Sequence, residues 1–169
     1  FASAQLESLM RFTLVDRIVE LDKGQSISTV KNLSLAEEYL QDHFPGFAVL
    51  PGVMMVEALV QSGAWLMRAT EDFRCSTILL KQAKAVKFNS FVTPGHQLQV
   101  TVKTHKWGED ECTFKAVGMI DGTESAVSAR ITLQQLNLTD RNPALAKCDE
   151  ELKTKMRELF AQLYTPPAE

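Results

Sequence analysis

Three stretches of the chain alternate apolar and polar residues with a period of two. Leu98, Val100 and Val102 interleave with Gln97, Gln99, Thr101 and Lys103. Cys112, Phe114 and Ala116 interleave with Thr113, Lys115 and Val117. Val127, Ala129, Ile131 and Leu133 interleave with Ser128, Arg130, Thr132 and Gln134. Successive strand side chains point to opposite faces, so the pattern predicts antiparallel strands with one face buried and one wet. Gly108-Glu109-Asp110 and Asp121-Gly122 separate these runs and predict hairpin turns.

Nearer the start, residues 3–10 read as one or two helical turns. Arg11–Glu20, with Phe12, Leu14, Val15, Ile18 and Val19, reads as a strand. Asp22-Lys23-Gly24 reads as its turn and Gln25–Lys31 as a second strand. Leu33–Asp42 is a polar connector with Ala36, Tyr39 and Leu40 at helical spacing. Between these strands and the alternating runs the period changes. Pro51-Gly52 opens Val53–Thr70, which is apolar around nearly its whole circumference. Such a helix must be enclosed on most sides. It is too short, and too interrupted by Glu57, Gln61 and Ser62, to span a membrane.

A greasy helix wrapped by an antiparallel sheet is an α+β layer arrangement. The tail adds to it. Asn142-Pro143 offers a helix cap with proline at the first helical position. Leu145, Cys148, Leu152, Met156, Leu159 and Leu163 then follow a helical stripe, stopped by Pro166-Pro167. The stripe predicts an amphipathic helix docked on its own domain; the alternative is a partner-binding or regulatory appendage.

Length and composition narrow the function classes. At 169 residues and 45% hydrophobic content, the chain is long and apolar enough to bury one core. A net charge of −3 argues against phosphate neutralisation as a working principle, so no nucleic-acid partner is expected. Cys75, Cys112 and Cys148 are odd in number and widely spaced. They predict reduced, semi-buried thiols in a reducing compartment, not a zinc site. No basic segment followed by an apolar run opens the chain, so no signal peptide is expected. Phe1 is not an initiator methionine, which makes a trimmed start the expectation.

The chemistry concentrates in His43-Phe44-Pro45-Gly46-Phe47-Ala48-Val49-Leu50-Pro51-Gly52-Val53-Met54-Met55-Val56-Glu57. Glu57 is the only acidic residue between Val53 and Met67, in a helix otherwise apolar. A carboxyl in such surroundings is expected to be desolvated, which favours its proton-donating form. His43, on the preceding loop, could serve as the complementary base. Gly52 stands at the helix N-terminus, where its N–H has no intrahelical partner and could stabilise a growing oxyanion. Base, acid and oxyanion donor together suit proton removal α to a carbonyl with loss of a β-leaving group. Hydrolysis lacks a convincing nucleophile, because Ser62 has no Gly-x-Ser-x-Gly elbow around it. The blander reading makes His43 structural and pairs Glu57 with backbone or with Gln61.

This window resembles the signature of the FabZ-type 3-hydroxyacyl-acyl-carrier-protein dehydratases of the hot-dog superfamily. His43, Phe44, Pro45, Gly46, Pro51, Gly52, Val53 and Glu57 carry the resemblance. Leu14-Val15-Asp16-Arg17, Val30-Lys31-Asn32, Phe88 and Pro94-Gly95-His96-Gln97-Leu98 extend it across roughly residues 6–135. The resemblance implies a hot-dog domain over 1–138, with 139–169 an extra C-terminal helical extension. It implies conversion of a (3R)-hydroxyacyl thioester to the trans-2-enoyl thioester on acyl carrier protein, in fatty-acid or related synthesis. His43 would remove the α-proton, Glu57 would protonate the departing hydroxyl, and the Gly52 N–H would hold the thioester carbonyl. Val49 would orient His43 through its carbonyl, and Gln61 would bond to Glu57. Relatives that also isomerise the double bond carry Asp at the acid position, so Glu57 favours dehydration alone. Phe44, Phe47, Met54 and Phe91 are candidates to line an acyl tunnel; the other reading makes each of them plain core. The same resemblance implies a homodimer, or a trimer of such dimers, in which His43 of one chain faces Glu57 of the other.

Neither a metal nor an organic cofactor is implied, since His43, His96 and His105 lack ligand spacing. His96 and His105 read as surface residues. Lys81, Lys84 and Lys87, on a return strand after the helix, are candidates for docking the acidic carrier protein; the other reading is a solvated strand edge. A cytoplasmic, soluble enzyme is the expectation. Ala48 and His96 stand where the family commonly has Pro and Asp. The competing readings are a hot-dog acyl thioesterase and a non-catalytic acyl-thioester-binding subunit.

Overall fold

The structure, a computed structural model, describes residues 12–166. One antiparallel sheet curls around one long helix. The strands are β1 (Arg17–Asp22), β2 (Ser26–Asn32), β3 (Thr77–Phe88), β4 (Gln97–Trp107), β5 (Glu111–Ile120) and β6 (Glu124–Leu136). Helix α1 (Gly52–Thr70) lies between β2 and β3 in the chain, and α2 (Ala146–Leu163) follows β6. The sheet order is β1-β2-β4-β5-β6-β3, with every neighbouring pair antiparallel. This is the hot-dog arrangement that the sequence implied. Among the described residues no helix is long and apolar enough to cross a membrane.

The alternating runs form β4, β5 and β6 with the expected faces. Leu98, Val102, Cys112, Phe114, Ile131 and Leu133 are fully buried against α1, while Lys103, Lys115 and Arg130 stay in water. In α1, residues from Ala58 to Met67 are buried almost without interruption. Gly63 lets the sheet close on the helix: a Cβ there would come within 3.0 Å of the Leu133 Cδ1. Ser62 is a structural hydroxyl. It donates to the Ala58 carbonyl at 2.7 Å and accepts from Thr29, also at 2.7 Å, so it is no nucleophile.

The first strand needs correction. Residues 12–16 are not part of a strand: the Asp16 N–H donates to the Val30 carbonyl at 2.8 Å, but β1 begins only at Arg17. The backbone of Phe12 and Leu14 is claimed by α1: Gln61 accepts from the Leu14 N–H at 2.9 Å and donates to the Phe12 carbonyl at 2.9 Å. The turn falls at Lys23–Gln25, with Gly24 at φ +75°, and β2 runs one residue later than expected. The connector forms a 3-10 turn at Glu38–Leu40 that buries Leu40. The helical turns expected over residues 3–10 lie outside the described residues.

The tail helix packs on the core. Leu152, Met156 and Leu163 are buried, and the Phe160 ring sits 6.0 Å from Trp65 and 5.7 Å from Phe73. The Asn142 side chain accepts from the Ala144 N–H, but it opens a 3-10 turn (Pro143–Leu145) rather than the α-helix itself, which starts at Ala146. Asp149 fixes this junction. Its buried carboxylate accepts from the N–H groups of Leu138 and Thr139 (2.8 and 2.9 Å), from the Thr139 hydroxyl (2.6 Å) and from the Ser76 hydroxyl. Burial alone would raise its pKa; the hydrogen bonds from Ser76, Thr139 and Leu138 outweigh that and hold it at about 2. A depressed folded-state value stabilises the fold above the ordinary carboxylate range. The contribution, about 2 kcal/mol, is lost as pH falls from near 4 through 2. Asp149→Asn is therefore expected to lower the melting temperature at pH 7 and to flatten the stability–pH curve below pH 4. An unchanged acid limb would remove Asp149 from this role.

Strand β3 is unlike the others. From Leu79 to Phe88 every residue is exposed, on both faces of the sheet. One edge pairs with β6, and among the described residues the other edge pairs with nothing. Leu79, Leu80, Val86 and Phe88 are each 36–54% exposed along this free edge.

Candidate active site

His43 lies on the loop that leads into α1. The loop is tied by Phe44 N–H to the Phe47 carbonyl and by the reverse bond, both 3.0 Å, with Gly46 turning at φ +83°. The His43–Phe44 peptide bond is cis. The Val49 N–H donates to the His43 carbonyl at 3.1 Å, and the Leu50 N–H ties the loop's end to the Val92 carbonyl at 2.8 Å. These bonds place the Val49 carbonyl 3.1 Å from His43 Nδ1. A carbonyl only accepts, so the proton sits on Nδ1 and, in the neutral ring, Nε2 keeps its lone pair. His43 thus offers a base on the side away from Val49. Its ring stacks on Phe44, with centroids 4.2 Å apart.

Gly52 is the first residue of α1, after Pro51, so its N–H falls in the turn where no intrahelical carbonyl is in reach. The ring of Phe88 covers it: a Cβ on Gly52 would meet that ring at 3.0 Å. His43, Phe44, Val49, Gly52, Phe88 and Phe91 line one cavity of about 360 Å³. Phe47 stands beside it, edge-on to Phe91 at 6.0 Å. Phe44, Phe47 and Phe91 are all exposed. Gly52→Ala should push Phe88 off the helix end and crowd the donor. We expect kcat/KM to fall about tenfold with the melting temperature nearly unchanged, since alanine suits a first helical turn. Equal activity would take the Gly52 N–H out of the reaction.

Glu57 lies elsewhere. It borders a second cavity, also about 360 Å³, together with Phe12, Gln61, Trp65 and Arg68. Gln61 Nε2 donates to Glu57 Oε1 at 3.1 Å, and the other bonds of Gln61, to Leu14 and Phe12, hold that amide in place. The expected desolvation of Glu57 is not met within one chain: Glu57 is exposed. Its helix is apolar, but one side of the first turns lies outside the cover of its own chain: Val53 is 75% exposed, while Met55 on another side is buried. One chain therefore brings His43 to Gly52, and Gln61 to Glu57, but does not bring the two pairs into one cavity.

Sequence reasoning missed Phe88 over Gly52, and Phe12 and Arg68 beside Glu57. Arg68 carried a signal, because Glu57, Gln61, Ala64 and Arg68 recur at intervals of four, three and four. That spacing is one stripe of a helix.

The remaining candidates stand apart from the two cavities. Lys81, Lys84 and Lys87 are exposed on β3, and Lys81 pairs with Glu111. His96 Nδ1 meets the Asp121 carboxylate at 2.7 Å, and this bond holds the Asp121 pKa below its usual range. His105 is exposed. Cys75 and Cys112 are more buried than expected, and burial pushes both thiols up, away from reactivity; Cys148 is half-buried. Among the described residues no cluster of three His, Cys, Asp or Glu could hold a metal ion.

Comparison with known proteins identifies the family. A family model described as FabA-like domain matches residues 7–130. The 3-hydroxyacyl-acyl-carrier-protein dehydratase FabZ of Levilactobacillus brevis is 37% identical over 118 residues, covering 70% of this chain and 79% of that protein. Its counterpart in Oenococcus oeni is 39% identical over 116 residues, covering 69% and 83%. Among solved structures, the dehydratase heterocomplex ApeI:P from Xenorhabdus doucetiae superposes with a TM-score of 0.64 at 16% identity. That match covers 79% of this chain and 90% of the other, and it speaks to the fold.

Proposed function

Because the chain belongs to the FabA-like family, with the FabZ-type hot-dog dehydratases as its relatives, we propose that it dehydrates 3-hydroxyacyl thioesters carried on acyl carrier protein. The observation that carries the reading is the His43–Val49 contact, which leaves a basic Nε2 in the cavity that holds the Gly52 N–H. His43 takes the proton from C2. The charge that grows on the thioester oxygen is met by the Gly52 N–H and the positive end of α1. The C2 electron pair becomes the C2=C3 double bond, the C3–O bond breaks, and Glu57 delivers the proton with which the hydroxyl leaves as water. The product is the 2-enoyl thioester. His43 then returns its proton to solvent and Glu57 regains one.

The acid comes from a second copy of the chain in this reading. Within one chain His43 and Glu57 border different cavities, while the unpaired edge of β3, with Leu79, Leu80, Val86 and Phe88 exposed among its lysines, is open to strand pairing. Pairing β3 with its copy about a two-fold axis would continue the sheet and cover the projecting first turns of both α1 helices. It would set His43 of one chain opposite Glu57 of the partner subunit and supply the desolvation that Glu57 lacks alone. Lys84 and Lys87, exposed on β3, offer a basic contact for an acidic carrier protein.

The direct test is conversion of a 3-hydroxybutyryl thioester to its enoyl product, followed by absorbance. Enoyl formation is expected. No turnover, even with carrier-protein substrates and longer chains, would overturn the reading in favour of a binding subunit.

A further inference from the structure

The cavity beside Glu57 does not end in hydrocarbon. It runs along one stripe of α1, from Glu57 past Gln61 and Ala64 to Arg68, a rise of about 16 Å for eleven residues. The small side chain of Ala64 leaves the space open. Leu152 and Met156 of α2 help to wall the cavity, and that helix follows the part of the chain that the family model matches. Arg68 lies over the Trp65 ring at 5.3 Å, so its stem and one face of the guanidinium are packed. Its Nε is sealed from solvent and has no hydrogen-bond partner among the described residues. Nor does the guanidinium form an ion pair there. Burial lowers its pKa to about 10, so it keeps its charge at neutral pH.

A half-buried cation without a counter-ion, at the end of a cavity that begins at the proposed acid, is costly when the cavity is filled by methylene groups, and its Nη groups, unlike the sealed Nε, remain open to an acceptor. It is satisfied by an acceptor delivered on the far end of the substrate. We propose that Arg68 selects acyl chains ending in a carboxylate, which it binds by a charge-assisted hydrogen bond while C3 lies at Glu57. The substrate class is thus a 3-hydroxyacyl thioester with an anionic end. This inference rests on the proposed dehydratase reading for the placement of C3 at Glu57. Side chains on a helix lean toward its N-terminus, so the guanidinium reaches back along the cavity toward Glu57.

The test uses the full chain and two series of ligands. Non-reactive pantetheine thioethers of roughly six to ten carbons, the range that about 16 Å of helix accommodates, end either in a carboxylate or in a methyl group. Calorimetry gives the Kd of each, and the matching 3-hydroxyacyl thioesters give kcat/KM. The wild type should bind the carboxylate series at least about tenfold more tightly at the best length. Arg68→Met, which keeps the stem on Trp65, should lose or invert that preference. Arg68→Lys should keep part of it. Equal Kd values for the two series in the wild type overturn the proposal, whether or not the methionine variant folds. So does a preference that survives in Arg68→Met, and so does failure of both series to bind. Selective binding that depends on Arg68, with no enoyl product from any thioester, would support the carboxylate site and defeat the dehydratase reading instead.

Discussion

His43→Ala and Glu57→Gln are each expected to lower kcat by about 10²–10⁴-fold, the usual contribution of a positioned acid or base. Neither change should unfold the protein. His43 stands on a loop held by backbone bonds between Phe44 and Phe47 and from Val49 and Leu50, none of which needs the imidazole. Glu57 is exposed in one chain, and glutamine keeps its shape and an acceptor for Gln61. The decisive result comes from mixing the two inactive proteins under conditions where subunits exchange. If the base of one chain works with the acid of another, a mixed dimer contains one intact site and one doubly broken site. Random exchange of equal amounts then restores about a quarter of the wild-type rate. A site built within one chain restores nothing, because each subunit still lacks one group. Regain of activity would establish the shared site without any structure of the dimer. Full activity in either single variant would instead remove that residue from the chemistry.

The parts of this fold legible in the sequence are those whose burial is decided within one chain. Leu98, Phe114 and Ile131 alternate with polar neighbours because one face of their strands meets α1, and period two follows. The long apolar run became α1, with its start correct to within a residue. Where another contact decides the structure, the pattern misleads. Residues 12–16 look like a strand, yet Gln61 takes the backbone bonds of Phe12 and Leu14, and nothing in their hydrophobicity reports that. Strand β3 gave only a return strand without bounds, since leucines and lysines mingle on a surface open on both sides. Glu57 is the same case in miniature. The apolar residues around it indicate a dry setting, but not which copy of the chain would make it dry. The placement of His43 and Gly52 was legible because residues near in the chain position both: Val49, six residues on, for the imidazole, and Pro51 for the helix start.

Leu80→Lys combined with Val86→Lys is expected to turn the protein into a folded, inactive monomer. Both residues are exposed on β3, at 41% and 36%, so neither supports the core of its own chain. The strand already carries Lys81, Lys84 and Lys87, with Lys81 paired to Glu111. Antiparallel pairing with a copy of itself would bring the new lysines against that basic segment about the two-fold axis. Like charges forced together across an interface cost several kcal/mol, so the dimer Kd should rise by about 100-fold or more. Lysine is also what natural edge strands use to refuse a partner. Light scattering would give the mass, and circular dichroism would report the retained sheet and helix. Turnover should fall with the dimer fraction, because α1 then presents Glu57 to solvent and His43 faces no acid. High salt should recover part of both, since it screens the lysines while leaving the apolar contacts in place. A monomer that keeps the wild-type rate would place both catalytic groups in one chain, and would contradict the shared site even if the mixing experiment were never done. A variant that remains dimeric would move the interface off β3, and the exposed first turn of α1, with Val53 at its tip, would be the next surface to charge.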